Sequence, residues 1–402
     1  MNATLSRANE FLMPNYGLLD LEIYSGKGAW VWTRDANGKK AECLDLLCGL
    51  GVNSLGHCYP YVVEAIMEQL DTLGHVSNLY ATPTMAQLSE RLSELSGLPE
   101  AKVFFCNSGT EANEAAMKLA RIRGFKISGP EKREVIYLTN SFHGRTLWSI
   151  SATGQPKKQE MFGAPIPGMI EVPLNDIESL RKAACKNTCA VIFETIQAEG
   201  GINIMNAEFY GEMMKLSDEF DFLTIVDEVQ TGIGRTGKMF SFERFDRRPD
   251  IITLAKALGG GLPIGAIVAG EGTGDYLIGG SHAATFGGNP IVCAAGLAVL
   301  DVIEQENLLE RISIIGSLLN TELMLLAMRH LKVVADRRGA GCLFGLELKE
   351  PRAGEVVKKM RAMDVLIGTA GEKVVRIMPP FIIERRELDA ALEKLDQVLD
   401  TL

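Results

Sequence analysis

Lys256 lies in Leu254-Ala-Lys-Ala-Leu-Gly-Gly-Gly-Leu-Pro263, directly after a short apolar run and just ahead of three glycines. A primary amine held at the end of such a run is suited to forming a Schiff base with a carbonyl. Upstream, Leu223-Thr-Ile-Val-Asp-Glu-Val-Gln230 ends a second apolar run in a carboxylate, Asp227. Lysine plus carboxylate is the pair that pyridoxal phosphate chemistry requires. The amine holds the cofactor, and the carboxylate keeps its ring nitrogen protonated, so that the ring can accept the electrons left when a Cα proton departs. Gln230 is close enough in sequence to reach the ring's phenolic oxygen, and a released Lys256 amine is a base able to move a proton between the substrate Cα and the cofactor.

Two further stretches carry groups of the kind such a cofactor needs. Asn107-Ser-Gly-Thr-Glu-Ala-Asn-Glu114 follows Val103-Phe-Phe-Cys106 and opens a helical pattern with Ala112, Ala115, Ala116 and Leu119 on one face. Gly109 lets backbone N–H groups approach a phosphate, the helix dipole adds attraction, and Ser108 and Thr110 bring hydroxyls. Ser108 and Glu111 also have capping-box spacing; alone, the stretch fits a capped helix with no ligand. Ser141-Phe-His-Gly-Arg-Thr146 follows Val135-Ile-Tyr-Leu-Thr139 and combines an aromatic that can stack on a flat ring, Phe142, with a guanidinium that can clamp a carboxylate, Arg145. His143 reads as structural. Gly232-Ile-Gly-Arg-Thr-Gly237 formally matches a dinucleotide fingerprint, but it does not join a strand directly to a helix, and Lys238-Met-Phe-Ser-Phe-Glu243 is a poor long helix.

The elements that must position these residues are short apolar runs at Lys102–Cys106, Val135–Thr139, Ala190–Phe193, Leu223–Val226, Ile251–Leu254 and Gly265–Val268, alternating with helical patterns. That alternation predicts an α/β fold with a mainly parallel central sheet wrapped by helices, and a ligand crevice at the carboxyl ends of the strands. From about Val299 the texture shifts to long helical stretches such as Asp301–Leu326, then runs at Lys332–Val334 and Cys342–Leu348 and a helix from Arg386. The first 50 residues contain hairpin-like material, Ala29-Trp-Val-Trp-Thr33 and Asp35-Ala-Asn-Gly38. The expected organisation is a large domain over 51–304 and a smaller discontinuous α+β domain built from 1–50 and 305–402.

At 402 residues, 47% hydrophobic and 23% charged, the chain can bury a full core, and a formal net charge of −10 gives no electrostatic reason to bind nucleic acid or an acidic membrane. Small molecules and a second copy of the chain are the expected partners. Its eight cysteines lack CxxC spacing and read as reduced thiols; Cys185 and Cys189 fall one helical turn apart, but no histidine pair accompanies them and no metal is expected. The N-terminus lacks the apolar core of a signal peptide and no uninterrupted apolar run is long enough to span a bilayer, so the expected location is cytoplasmic.

Taken together, the chain resembles a fold-type I pyridoxal-phosphate enzyme of the class III (ornithine, acetylornithine and ω-amino acid) aminotransferase family. The resemblance rests on Asn15-Tyr-Gly17, Gly26-Lys-Gly28, Val52-Asn-Ser-Leu-Gly-His57 and the Asn107–Glu114 and Phe142–Thr146 stretches. It continues through Asp227-Glu-Val-Gln-Thr-Gly232, Ala255-Lys-Ala-Leu-Gly-Gly-Gly261 and Thr285-Phe-Gly-Gly-Asn-Pro290. It implies that Lys256 is the Schiff-base lysine, Asp227 the pyridinium partner, Phe142 the stacking aromatic, and Gly109 with Thr110 the phosphate cradle. Thr285 is implied to reach the phosphate of a neighbouring subunit, making a homodimer the minimal catalytic unit. Arg145 falls where the family holds the substrate α-carboxylate, and Glu199 and Arg376 fall at the family's gate pair, which opens to admit glutamate.

Gly49 stands where ornithine δ-aminotransferases carry a tyrosine, and the missing ring leaves room for an N-acyl group. The implied reaction is ping-pong transfer of the terminal amino group of N2-acetylornithine to 2-oxoglutarate, a step of arginine biosynthesis. Ornithine, succinylornithine, acetyl-lysine-type and 4-aminobutyrate transamination are the alternatives. Thr195 and Ala198 depart from the family's usual proline and glycine beside the gate glutamate, which puts the gate's geometry in question.

Overall fold

The computed structural model describes residues 2–402. A seven-stranded sheet forms its centre, in the spatial order Lys102–Cys106, Gly265–Ala269, Ile251–Leu254, Leu223–Asp227, Thr188–Phe193, Glu134–Leu138 and Met169–Val172. The last five strands of that series run parallel, whereas Gly265–Ala269 is antiparallel to both its neighbours. Leu223–Asp227, Ile251–Leu254, Thr188–Phe193 and Gly265–Ala269 are buried at every position, as strands covered on both faces must be. The helix Gly109–Ser128 covers part of the sheet with Ala112, Ala115, Ala116, Leu119 and Ala120, whose small side chains allow a close helix–sheet approach.

Two smaller sheets lie at the chain's ends. Leu21–Lys27, Trp30–Asp35 and Lys40–Asp45 form an antiparallel meander, closed by Val365–Leu366 running parallel to Leu44 and Asp45. The tight turn in this meander is set by Asp35, whose Oδ1 accepts from the N–H groups of Asn37 and Lys39, both at 2.9 Å. Val334–Ala340, Leu343–Leu348, Val374–Ile377 and Gly368–Ala370 make the other sheet. The C-terminal helix Arg385–Leu399 buries Leu388, Leu392, Leu395 and Leu399 at helical spacing.

Three sequence expectations need correction. Asp301–Leu326 is not one helix: Pro290–Gln305 and Leu308–Arg329 are separated at Asn307, whose φ of 49° is left-handed and tolerable to asparagine. Cys185 and Cys189 do not share a helical turn, because the helix ends at Ala183 and Cys189 is already inside the Thr188–Phe193 strand. At the start of Gly109–Ser128, Ser108 Oγ accepts from Glu111 N–H at 3.3 Å as a cap should. The Glu111 carboxylate, however, reaches past Ser108 to the Asn107 backbone N–H at 2.5 Å and its side-chain amide at 3.0 Å.

By composition the helix Leu308–Arg329 is long and apolar enough to cross a bilayer, with a mean hydropathy of 1.3. One face of it, carrying Leu308, Ile312, Leu319, Leu323 and Leu326, is instead packed in the core. The Gly232–Gly237 stretch is a turn followed only by the single 3-10 turn Ser241–Arg244, not by a long helix. Its Arg235 is fully buried and donates to Cys342 O at 3.2 Å, Pro379 O at 2.8 Å and Ser54 Oγ at 2.5 Å, tying the turn to three distant parts of the chain.

Candidate active site

A cavity of about 480 Å³ opens at the carboxyl ends of the parallel strands, within the size range of small-molecule and cofactor sites. Each strand delivers its groups there through the loop that follows it. The loop after Cys106 brings Ser108, Gly109 and Thr110, that after Leu138 brings Phe142 and Arg145, and that after Phe193 brings Glu194 and Glu199. Asp227 and Gln230 follow the next strand, and Lys256 the one beside it.

Asp227 is buried and held by three donors. Its Oδ2 accepts from Asn113 Nδ2 at 2.8 Å and from His143 Nδ1 at 2.7 Å, and its Oδ1 from the Val229 N–H at 3.0 Å. Asn113 also donates to His143 O at 2.8 Å and accepts from Thr253 Oγ1 at 2.8 Å, so one helix residue fixes both the carboxylate and its histidine. Such a network holds the carboxylate at one orientation. His143, read from sequence as structural, therefore touches the site's central acid. Asn113 was legible only as a polar residue on the buried face of a helix, a pattern that a buried polar partner explains.

Lys256 Nζ donates to Gln230 Oε1 at 2.5 Å. The lysine has φ of 42°, a left-handed conformation costing a non-glycine residue about 1–3 kcal/mol. Burial pushes its ammonium below the usual lysine range, with Arg376 adding repulsion against the pull of Glu199 and Asp227. A lysine so placed reaches its nucleophilic neutral form more readily than an exposed one.

At the pair expected to act as the gate, the Arg376 guanidinium meets the Glu199 carboxylate and donates to Ala198 O at 3.1 Å. Arg376 is buried and its Nε has no partner, while the Glu199 carboxylate is partly exposed. Burial works to raise the Glu199 pKa, but Arg376 outweighs it and holds the carboxyl below its ordinary value. Thr195 hydrogen-bonds to Ser241, and Ala198 packs with Ile196 and Ile202, so both departures from the family pattern are accommodated without displacing the pair.

Glu194, which sequence reasoning did not single out, is fully enclosed and accepts from the Phe142 N–H at 2.9 Å. Burial, reinforced by Asp227, drives its carboxyl well above the usual range. Arg145 is exposed at the cavity rim. Two anticipated residues lie elsewhere. Gly49 is exposed in a left-handed turn with φ of 59° and does not line the cavity, though Val52 of the same turn does. Thr285 is exposed and lines a separate surface cavity beside Asn107, Glu111 and His282.

The residues present fit pyridoxal phosphate. Gln230 Nε2 is buried without a partner, a donor without an acceptor in the protein. A Cβ on Gly109 would stand 2.7 Å from Val229 Cγ1, so only glycine lets the two loops close to form the cradle.

A profile for Aminotransferase class-III matches residues 13–399. The chain belongs to the class III aminotransferases, which are pyridoxal-phosphate-dependent transaminases working between an amino donor and a keto-acid acceptor. It is 44% identical over 393 residues to an acetylornithine aminotransferase from Caldanaerobacter subterraneus, covering 98% of each chain. It is also 44% identical to one from Methanocaldococcus jannaschii, over 95% of this chain and 94% of that one. Among solved structures it superposes on an ornithine aminotransferase from Toxoplasma gondii, crystallised with partial occupancy of PLP at its active site. That superposition has a TM-score of 0.90 at 30% identity and covers 98% of this chain and 93% of the other.

Proposed function

We propose that this enzyme transfers the terminal amino group of N2-acetylornithine to 2-oxoglutarate, giving N-acetylglutamate semialdehyde and glutamate in arginine biosynthesis. The observation that carries this reading is the layout of one cavity with Lys256 and Asp227 at its floor, Arg145 at its rim and the Glu199–Arg376 pair at its side. The 44% identity to acetylornithine aminotransferases over nearly the whole chain supports the choice of donor.

When bound, pyridoxal phosphate supplies an electron sink for the pair released as a C–H bond beside the amino group breaks. The protein's own groups do the rest. Ser108, Gly109 and Thr110 would hold the phosphate at a helix N-terminus, Phe142 would stack on the ring, Gln230 would donate to its phenolic oxygen and Asp227 would keep its nitrogen protonated. Lys256 carries the proton, since burial leaves its amine more easily neutral. Arg145 binds the donor's α-carboxylate, which directs the distal amine inward. While Arg376 is paired with Glu199 it does not compete for that carboxylate; released, it binds the α-carboxylate of glutamate, so both half-reactions use one site.

The proposal includes a homodimer. Thr285 lies outside this chain's own cavity, as a residue donated to a neighbour would, and the N-terminal segment exposes Phe11, Leu12, Met13 and Tyr16 within six residues. A cytoplasmic setting is part of the same reading, supported by eight free thiols.

The test is the half-reaction of cofactor-loaded enzyme with N2-acetylornithine, ornithine and 4-aminobutyrate, followed by the cofactor's absorbance. Rapid conversion by N2-acetylornithine with little by the others is expected. Preferential conversion by ornithine or 4-aminobutyrate would overturn the donor assignment and the role given to Gly49.

A further inference from the structure

Lys158 belongs to no motif singled out in the sequence, yet its position is unusual for a lysine. It sits in the short helix Pro156–Gln159, half-buried, with its Nζ 4.5 Å from the centroid of the Phe142 ring. The Arg145 guanidinium lies over the same ring, 5.6 Å from the centroid. Two cations therefore converge on the residue that frames the cavity. Among the described residues neither has an ion-pair partner, and Glu199, the anion that attracts Lys158 most, is already engaged by Arg376. The Lys158 ammonium is pushed down by burial and by repulsion from Arg145 and Arg376, with only Glu199 and Glu194 pulling the other way.

Unpaired like charges brought together at the mouth of a cavity are costly unless an anion joins them. A cation–π contact with Phe142 offsets only part of that cost. We propose that Lys158 is a specificity-determining residue of the substrate site, forming with Arg145 a two-cation clamp for the substrate carboxylate farthest from the reacting carbon. Resting on the transaminase reading above, the clamp serves both half-reactions. The donor's α-carboxylate and the γ-carboxylate of glutamate or 2-oxoglutarate each occupy it, the flexible Lys158 chain taking up the one-carbon difference in their reach. Arg145 supplies the planar, bidentate partner and Lys158 a second, adjustable point charge.

The test compares wild-type, Lys158→Gln and Lys158→Arg holoenzymes. The probes are calorimetric binding of glutarate, which carries the two carboxylates and no reacting group, and steady-state kinetics with 2-oxoglutarate. Lys158→Gln is expected to weaken glutarate and raise the KM for 2-oxoglutarate by about tenfold, the order set by one charge-assisted hydrogen bond, with kcat nearly unchanged. Lys158→Arg should restore most of the affinity. Unaltered glutarate binding in Lys158→Gln, with cofactor absorbance and melting temperature matching wild type, would overturn the clamp. Because glutarate binding involves no amino donor, it separates the two ideas. Weakened glutarate binding in an enzyme that ignores N2-acetylornithine keeps the clamp and sinks the donor assignment, and the reverse pattern does the opposite.

Discussion

Lys256 is held by its neighbours in a conformation that lysine does not favour, next to Gln230 and above a carboxylate locked by Asn113 and His143. If it both anchors the cofactor and moves the proton, Lys256→Ala should lower kcat by at least about a thousandfold, combining loss of general base and of covalent attachment. The bound cofactor should then dissociate on gel filtration, and a variant that still turned over normally would refute the role. Glu228, beside Asp227, gives a separate handle on stability. Burial pushes its carboxyl up to about 7 from an ordinary 4.5, despite hydrogen bonds from Thr231 at 2.5 Å and from the Phe242 N–H at 2.9 Å.

Between those values the native chain holds a proton that the unfolded chain has released, so raising the pH through this window favours unfolding. The loss is complete once pH exceeds the folded value. Glu228→Gln mimics the protonated form and should abolish this contribution, up to about 3 kcal/mol. Melting curves from pH 4.5 to 8 check it, since parallel profiles for the two proteins would exclude Glu228 as the source. At this scale the sequence exposed the groups with a chemical signature, Lys256, Asp227 and Arg376. It concealed Lys158, His143 and Asn113, whose significance arises only when loops far apart in the chain meet.

At the level of elements, strand positions were readable because runs such as Ala190–Phe193 are apolar throughout, which only a doubly covered strand requires. The break at Asn307 was not, because Pro290–Gln305 and Leu308–Arg329 share apolar periodicity across it and the left-handed turn has no glycine to advertise it. The turn holding Arg235 matched a nucleotide loop in glycine spacing alone; the missing strand-to-helix join already separated the two, and the buried guanidinium shows what the turn does instead. Arg235 joins that turn to Ser54, Cys342 and Pro379, so Arg235→Ala should cost about 3–5 kcal/mol by leaving buried acceptors unpaired. Urea denaturation measures this, and a change below about 1 kcal/mol would show the turn is held by packing alone.

For the whole molecule, pairing of Val365–Leu366 with Leu44 and Asp45 supports the proposal that residues 1–50 and 305–402 act as one discontinuous unit beside the large domain. The shared-site dimer makes a sharper demand. Inactive Lys256→Ala subunits co-expressed with Thr285→Ala subunits should form hybrids in which one of two sites regains wild-type cofactor affinity. Sedimentation of the wild type as a two-chain species should accompany that rescue. A fully active single-chain species would eliminate the shared site.

The antiparallel strand Gly265–Ala269 carries a consequence for how the protein comes to exist. Lys102–Cys106, which leads into the Ser108–Thr110 loop, meets the central sheet only through that strand. A ribosome must therefore deliver the whole stretch from Lys102 to Ala269 before the loop's parent strand has a neighbour. Until then the Ser108–Thr110 loop lacks the strand pairing that fixes its parent strand, so a cofactor held there would stabilise the finished fold and not the growing chain.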